Sequence, residues 1–383
     1  MMESNETNMA ITGLGMVSSL GLDVATACAA ARAGLALPTE LDYTLLDRDA
    51  GEEVKVCGHA VGGYTKGFSE LGRWVRLGSL ALENLLERAR MEPQTLAQMP
   101  LFVNLPSGYY LGAAARRRAE RQEGAQTDGG DEDAPPYDEL TPWYEKGIIP
   151  KLFAALDVIG LPGSQKVFFE DEAGAVSALV AARDTLASGR VSRCVVGGID
   201  SLVDPFWLAV CDEIGVLKTP LRPVGFMPGE AAAFLQLEME STARLRGAPI
   251  LATIGGLAAR QDPRDRFADK PPAGIALSEV ILDSLRHARG RCTLFHSDVN
   301  GDAVRAADWG SAQVRLQGHV DGATEVVPAM SFGATRAASG FVSTCLAVQS
   351  LAGRRNKAKT LLVWVASDSG ARGSFLVNRS DGG

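Results

Sequence analysis

The sequence lacks the features of secreted, membrane-spanning and disulfide-bonded proteins. Its 383 residues contain six widely spaced cysteines and no CxxC pair, so we expect reduced thiols rather than a disulfide framework. No apolar run reaches the roughly 18 to 20 residues that a membrane helix needs. The opening MMESNETNMAITGLG is polar where a secretory signal has a basic and then an apolar region. These absences predict a cytoplasmic protein that does not insert into a membrane.

Basic residues are also fewer than acidic ones, with 38 Lys and Arg against 46 Asp and Glu. The formal net charge is −8, so non-specific binding to nucleic acid or to anionic membranes is not expected. Hydrophobic residues make up 46% of the chain and there are 42 glycines, a composition typical of a large globular core with many tight turns.

Strand-like and helix-like segments alternate along nearly the whole chain. An apolar helical pattern near 172–188 is followed by a strand and a glycine pair, and further strand–helix pairs follow a joint near 239–249. This alternation predicts an α/β protein in two halves, residues 1–240 and 241–383.

Segment 115–140 interrupts this pattern. It is basic, then acidic, and rich in glycine and proline, so it can bury little and is predicted to be an exposed, mobile loop. Its Arg116-Arg117-Arg118 run is typical of a solvated helix end, or it could dock an acidic partner.

Five segments, in order, resemble the β-ketoacyl-acyl carrier protein synthases, the condensing enzymes of fatty acid and polyketide synthesis. The resemblance implies a thiolase-like fold, in which two similar halves stack as αβαβα layers and the protein is usually dimeric. It also implies an acyl carrier protein or acyl thioester as partner, with no cofactor and no metal. The segments are MAITGLGMVSSLGLDVATACAAARAG, the 173–198 helix and strand, GFMPGEAAAFLQLE, GATRAASG and DSGARGSFLV.

The chemistry of that family explains the residues it uses. A cysteine at the start of a buried helix forms a thiolate readily, because the helix dipole favours an anion there. The thiolate accepts an acyl group from a carrier-protein thioester. Two histidines then polarise a malonyl-type thioester, and backbone N–H groups stabilise each oxyanion.

The nucleophile position holds a glutamate in this chain. Aligning the helix on Gly189 and on the Gly197-Gly198 pair places Glu172 there, and an acyl adduct of a carboxylate would be a reactive anhydride. One interpretation is that Glu172 and Asp171 stabilise the helix start, each contributing about 0.3–1 kcal/mol. The alternatives are a general base, or a carboxylate that blocks the acyl tunnel.

At least one histidine of the family is missing as well. The second histidine follows a glycine in the family pattern, and here that pair is Gly333-Ala334. The interval to the first histidine ends near Ser297, so His296 and Asp298 are its neighbouring candidates. A shift of one residue on a strand turns the side chain to the other face, which leaves His296 an open candidate.

A polar cluster follows these candidates. It could form a metal or hydrogen-bonding site, or a solvated loop with a helix cap at Asp302. Its members are Asp298, Asn300, Asp302, Arg305 and Asp308.

The C-terminal glycine-rich loop keeps Gly370 and Gly373, but Asp368 and Arg372 make it more polar than the family's loop. Arg372 could pair with Glu172 and neutralise it.

Three functional hypotheses follow. The first is a non-condensing partner subunit, similar to the family's chain-length factors, that forms a heterodimer with an active 3-oxoacyl-acyl carrier protein synthase or a homodimer. Those factors usually carry glutamine where Glu172 stands. The second is a redirected acyl-thioester enzyme, an acyltransferase or hydrolase using Glu172, His296 or Ser331. The third is an ordinary condensing enzyme with a displaced cysteine. Whether any catalysis remains is open.

Overall fold

The computed structural model describes residues 8–47, 50–124, 137–288, 290–353 and 356–380. Within these ranges no helix is both long and apolar enough to cross a membrane. The strands are β1 (Met9–Ser18), β2 (Thr39–Asp47), β3 (Glu52–Gly58), β4 (Leu101–Leu105), β5 (Gln165–Phe169), β6 (Arg193–Ser201), β7 (Glu230–Met239), β8 (Ala252–Gln261), β9 (Leu294–His296), β10 (Thr324–Val326), β11 (Thr360–Ala366) and β12 (Ala371–Arg379). The α-helices are α1 (Val24–Arg32), α2 (Glu70–Ala89), α3 (Tyr109–Gly124), α4 (Tyr137–Ala155), α5 (Gly174–Ala187), α6 (Pro205–Glu213), α7 (Glu240–Leu245), α8 (Ile275–Leu285), α9 (Ala303–Arg315), α10 (Ala329–Phe332) and α11 (Ser339–Ala352).

The strand order shows an internal repeat. The large sheet runs β10-β9-β11-β12-β8-β1-β7-β6-β4-β5. The first half supplies β1, β4, β5, β6 and β7 to this sheet, and the second half supplies β8, β9, β10, β11 and β12. When the strands of each half are numbered one to five in chain order, both halves follow the order three-two-four-five-one from the outer edge of the sheet to its centre. The first three strands from each edge are parallel, and the remaining pairings are antiparallel. The halves meet where β1 pairs with β8, so the two halves are similar in topology.

The buried apolar residues form three clusters that define five layers. Helices α2 and α4 pack on the first-half strands, α5 and α11 lie between the two halves of the sheet, and α8 and α9 cover the second-half strands. Strand β11 shows the alternation: Val363 and Val365 join the central cluster, whereas Leu362 and Trp364 join the outer one. The molecule therefore has the predicted αβαβα, thiolase-like arrangement.

The two central helices begin in the same way. A three-residue 3-10 turn, Asp171–Ala173 or Arg336–Ala338, leads into a helix of 14 residues. The first residue of each turn has a positive φ, 51° at Asp171 and 30° at Arg336, which residues other than glycine seldom adopt. The second turn also approaches the sheet so closely that a Cβ on Gly198 would lie 2.3 Å from the Ala337 oxygen.

The prediction for segment 115–140 is wrong at both ends. Helix α3 continues to Gly124 and α4 begins at Tyr137, while residues 125–136 lie outside the described residues. The basic run is anchored by contacts that local composition does not reveal. Arg117 Nη1 donates to the Glu213 carbonyl at 2.8 Å, and Arg118 Nη2 pairs with the Glu213 carboxylate at 2.7 Å.

Candidate functional site

Glu172 lies on the turn between β5 and α5 and is 2% exposed. Its Oε1 atom is 2.9 Å from Arg305 Nη2. The same guanidinium reaches Asp298 Oδ2 at 3.1 Å and Asp368 Oδ1 at 3.0 Å. One buried arginine therefore holds three carboxylates from three segments of the chain.

A second buried ion pair joins the two central turns. Arg336 Nη2 contacts Asp171 Oδ1, and its guanidinium carbon lies 4.2 Å from the centre of the Tyr110 ring. Asn104 Nδ2 donates to the backbone oxygens of Asp171 and Ala337, at 2.6 and 2.9 Å. The starts of α5 and α11 are thereby fixed to each other as well as to the sheet.

The acids at the start of α5 do not act as ordinary helix-capping groups. The N-cap position of α5 is Ala173, which makes no side-chain cap hydrogen bond, and both acid side chains are occupied by arginines. Ser367 Oγ instead accepts from the Ala173 N–H and donates to the Glu170 carbonyl, each at 2.9 Å. A backbone donor that could stabilise an oxyanion is already satisfied.

Burial and the neighbouring arginines have opposite effects on the pKa values of the carboxyl groups in this network. Burial raises the pKa of Glu172, and Arg305 and Arg336 act in the opposite direction. Asp298 follows the same rule: burial raises its pKa, and Arg305 opposes the rise. Burial would also raise the pKa of Asp368, but Arg305 and Arg266 lower it to about 2. Asp368 is therefore the firmly ionised partner of Arg305.

The space beside Glu172 is very small. A cavity of about 20 Å³ is lined by Glu172, Asp298, Gly333 and Ala334, with Arg305 among its other walls. A volume of this size accommodates about one water molecule. It cannot hold the acyl chain of a thioester.

The structure places most of the other predicted residues away from this cavity. Ser297 lines it, whereas His296, Ser331, Gly370 and Arg372 do not. The suggested Arg372–Glu172 pair is wrong, because Arg372 Nε binds Asp308 Oδ2 at 2.9 Å.

His296 is a fully buried, neutral histidine. Its Nδ1 atom lies 3.0 Å from the Ser343 carbonyl oxygen, and since a carbonyl only accepts, Nδ1 carries the proton. Its Nε2 atom is buried without a hydrogen-bond partner in the described part of the chain. Burial lowers the pKa of His296 from 6.5 to about 4.

This environment predicts a specific loss of stability in acid. Because the folded pKa of His296 lies below the unfolded value of 6.5, its contribution is complete above pH 6.5 and is lost as the pH falls toward 4. The lost free energy of unfolding should reach about 3 kcal/mol. Buried carboxyl groups with raised pKa values, such as Asp298, act in the opposite direction over this range, so the comparison between variants is the readout. In urea unfolding at several pH values, His296→Gln, which keeps a donor for Ser343, should gain stability relative to the wild type as the pH falls from 6.5 toward 4. His319→Gln, at an exposed site, should retain the wild-type pH dependence; an unchanged pH dependence in His296→Gln would contradict the assignment.

In the polar cluster after β9 the predicted helix cap at Asp302 is confirmed, whereas the predicted solvation of the loop is wrong because several of its side chains are buried. Asp302 caps α9, with Oδ1 accepting from the N–H groups of Val304 and Arg305 at 2.9 and 3.2 Å. Asp302, Arg305 and Asp308 are buried. In the described part of the chain, no group of three or more His, Cys, Asp or Glu side chains is arranged to hold a metal ion.

Sequence reasoning missed the cationic half of the site. The sequence places Arg305 only in the polar cluster, and the small-residue segment GATRAASG gives no sign that Arg336 is buried beside an acid. The available signal was the pair of acids in an otherwise apolar segment, since buried carboxylates require cationic or hydrogen-bonding partners.

Comparison with known proteins supports the family resemblance. The family model described as "Beta-ketoacyl synthase, N-terminal domain" matches residues 6–243, which is more than half of the chain. A putative polyketide β-ketoacyl synthase 1 from Streptomyces cyaneus is 31% identical over 183 residues, covering 44% of this chain and 43% of that protein. The alignment thus spans less than half the length of that relative.

Two solved structures share the fold over almost the entire chain. One is a type II polyketide synthase ketosynthase in complex with its acyl-carrier protein and bound to a hexaketide, with a TM-score of 0.73. The other is the ishigamide ketosynthase/chain length factor, with a TM-score of 0.70. Each is 15% identical and matches 98% of this chain and 100% of its own, so these likenesses establish the thiolase-like fold alone. The family model matched over residues 6–243 shows that this chain belongs to the β-ketoacyl synthase family.

Proposed function

We propose that the chain is a ketosynthase-like subunit that does not condense acyl groups itself. It would act beside an active 3-oxoacyl-acyl carrier protein synthase in polyketide or fatty acid synthesis, in the manner of a chain-length factor. A heterodimer with that synthase is the proposed assembly.

The observation that carries this proposal is the Glu172–Arg305 ion pair. Residue 172 stands at the start of the central helix α5, where the family resemblance places the nucleophile. A carboxylate paired at 2.9 Å with a buried guanidinium is a weak nucleophile, because attack would break the pair and leave Arg305 with one partner fewer. The adjacent 20 Å³ cavity also leaves no room for a carrier-bound acyl chain.

The surrounding residues support the same conclusion. Ala334, at the proposed second-histidine position, lines the cavity with a side chain that cannot donate a hydrogen bond. Ser367 Oγ already binds the Ala173 N–H, which reduces the donors available to an oxyanion. This chain shares its fold with the ishigamide ketosynthase/chain length factor over 98% of its length. That likeness is compatible with a subunit role for this chain.

A redirected acyl-thioester enzyme is the second candidate. The raised pKa of Glu172 favours it, since general bases often carry perturbed pKa values. This alternative requires the Arg305 pair to open and admit substrate. An active site using both Glu172 and His296 is less compatible with the geometry, because His296 does not line the cavity.

The test is direct. Purified wild-type protein and Glu172→Gln are incubated with acyl-carrier and malonyl-carrier thioesters, and protein and thioesters are followed by intact mass spectrometry. We expect no β-ketoacyl product, no protein adduct and no carboxylate-dependent hydrolysis. A β-ketoacyl product would overturn the proposal, and hydrolysis that only Glu172→Gln loses would establish the second candidate.

The subunit role needs a positive result as well. A ketosynthase that co-purifies with this chain would be identified and then produced with and without it. The proposal expects the chain to change the length of the polyketide or acyl product, and Glu172→Gln to preserve that effect. A ketosynthase whose products are identical in both preparations would contradict the role.

A further inference from the structure

A second cleft lies at the opposite end of the first-half strands from Glu172. It has a volume of about 690 Å³, and its basic rim consists of Arg88, Arg90, Arg193 and Arg246. Strand β6 begins at Arg193 on this cleft, and its other end, at Asp200 and Ser201, lies beside the central turns. Eight residue steps along a strand span about 26 Å, so the cleft is separate from the site around Glu172.

Three of the four arginines at the rim of the cleft have no ion-pair partner among the described residues. Arg88, Arg90 and Arg193 have no ion pair or side-chain hydrogen bond with any residue that the structure describes, whereas Arg246 Nε binds Glu238 Oε2 at 2.7 Å. Glu92 is the acidic residue among those that line the cleft. Asp23 and Glu87 lie beside Arg88 and Arg90 in a neighbouring depression, but the cleft lining itself has four arginines and one acid, Glu92. The lining therefore carries a local excess of positive charge in a chain whose net charge is −8.

The floor of the cleft presents an unsatisfied acceptor. Gln236 lines the cleft and is 3% exposed, and its Oε1 atom has no hydrogen-bond partner among the described residues. Its Nε2 atom is turned toward Glu238 Oε1 at 3.4 Å, and Thr12 Oγ1 donates to the same oxygen at 2.7 Å. Thr12 lies at an irregularity in the pairing of β1 with β7, a feature that often accompanies functional sites. A buried amide oxygen without a donor is costly, and a ligand hydroxyl or N–H could satisfy it.

The geometry points to a binding site for a small phosphate ester that also carries a hydroxyl or N–H donor. Guanidinium groups bind phosphate oxygens in bidentate fashion, and the free arginines of the rim supply this contact. The donor of the ligand would reach Gln236 Oε1, and its apolar part would contact Met91 and Leu251 on the cleft wall. A cleft of this volume is in the usual range for small-molecule sites. This site is independent of the proposed subunit function.

Isothermal titration calorimetry with the full chain tests this inference. The probes are adenosine monophosphate, inorganic pyrophosphate and adenosine, each at the same ionic strength set with sodium chloride. We expect saturable binding of adenosine monophosphate, weaker binding of pyrophosphate and none of adenosine. Arg90→Ala and Arg193→Ala should each weaken phosphate binding about tenfold or more.

Two further variants identify the site. Arg183→Ala removes an arginine that pairs with Asp184 away from the cleft and should leave binding unchanged. Gln236→Leu should weaken the binding of adenosine monophosphate more than that of pyrophosphate, because only the former carries ribose hydroxyls and an amine that can donate to Gln236 Oε1. Absence of saturable binding to both phosphate probes would overturn the inference, as would equal affinity in the wild type and the two rim variants.

Discussion

Replacing Arg305 with methionine is expected to lower the free energy of unfolding by about 3–5 kcal/mol. The substitution keeps an extended side chain but removes the cation that contacts Glu172, Asp298 and Asp368. Three carboxylates would then face one another in a site where Glu172 is 2% exposed, without a compensating charge from Arg305. The midpoint of urea unfolding at neutral pH measures the loss.

A double-mutant cycle separates the ion pair from the packing of Arg305. Glu172→Gln with Arg305→Met should be less destabilised than the sum of the single variants, since the double variant buries one charge fewer. Arg260→Met is a matched surface control, because Arg260 also pairs with two acids, Glu279 and Asp283, but its side chain is 47% exposed. That control should change stability by about 1 kcal/mol or less. If Arg305→Met is no more harmful than Arg260→Met, the network does not hold the site together.

The fold could be predicted from the sequence because its signals are local or depend on motif order. The helical pattern near 172–188 corresponds to α5, Gly174–Ala187, and the strand and glycine pair that follow it correspond to β6. The glycine pair of β6 and the five ordered motifs indicated the family. Boundaries are less accurate around segment 115–140, where α3 continues to Gly124 and α4 begins at Tyr137.

The partners of Glu172 could not be predicted in this way. Arg305 is 133 residues away in the chain, and only the packing of α9 against the second-half sheet brings it to the start of α5. The sequence analysis suggests Arg372 as the partner, but that side chain binds Asp308 instead. A charge pattern shows that a carboxylate needs a cation, and the tertiary fold decides which cation it receives.

The network also relates the fold to the proposed function. The two central turns are equivalent positions of the internal repeat, and in the family one of them carries the nucleophile. Here Asp171 of the first turn pairs with Arg336 of the second, and Glu172 pairs with Arg305 of α9, so each of these two carboxylates at the centre of the molecule has a cationic partner. We infer that this arrangement preserves the geometry of the two halves without a reactive group, which a subunit that acts through its shape requires.

Replacing Arg336 with alanine is expected to be about as harmful as losing Arg305, with a cost of about 3–5 kcal/mol. Arg336 is 2% exposed, pairs with Asp171 and lies near Asp200, whose carboxylate accepts from the Ala337 N–H at 3.0 Å. Its removal would leave Asp171 and Asp200 without their cation and would also remove the contact with the Tyr110 ring. The midpoint of urea unfolding again measures the effect.

The backbone of Arg336 allows the ion pair to be separated from local strain. Its φ of 30° is unfavourable for any residue with a Cβ, so Arg336→Gly should be more stable than Arg336→Ala by about 1 kcal/mol. Both variants lose the same ion pair, so their difference reports the backbone alone. Arg336→Lys, which keeps a positive charge but not the planar guanidinium, should recover only part of the stability. Equal stability of the glycine and alanine variants would show that the turn relaxes once the arginine is gone, and that the ion pair rather than the sheet holds Arg336 in its strained conformation.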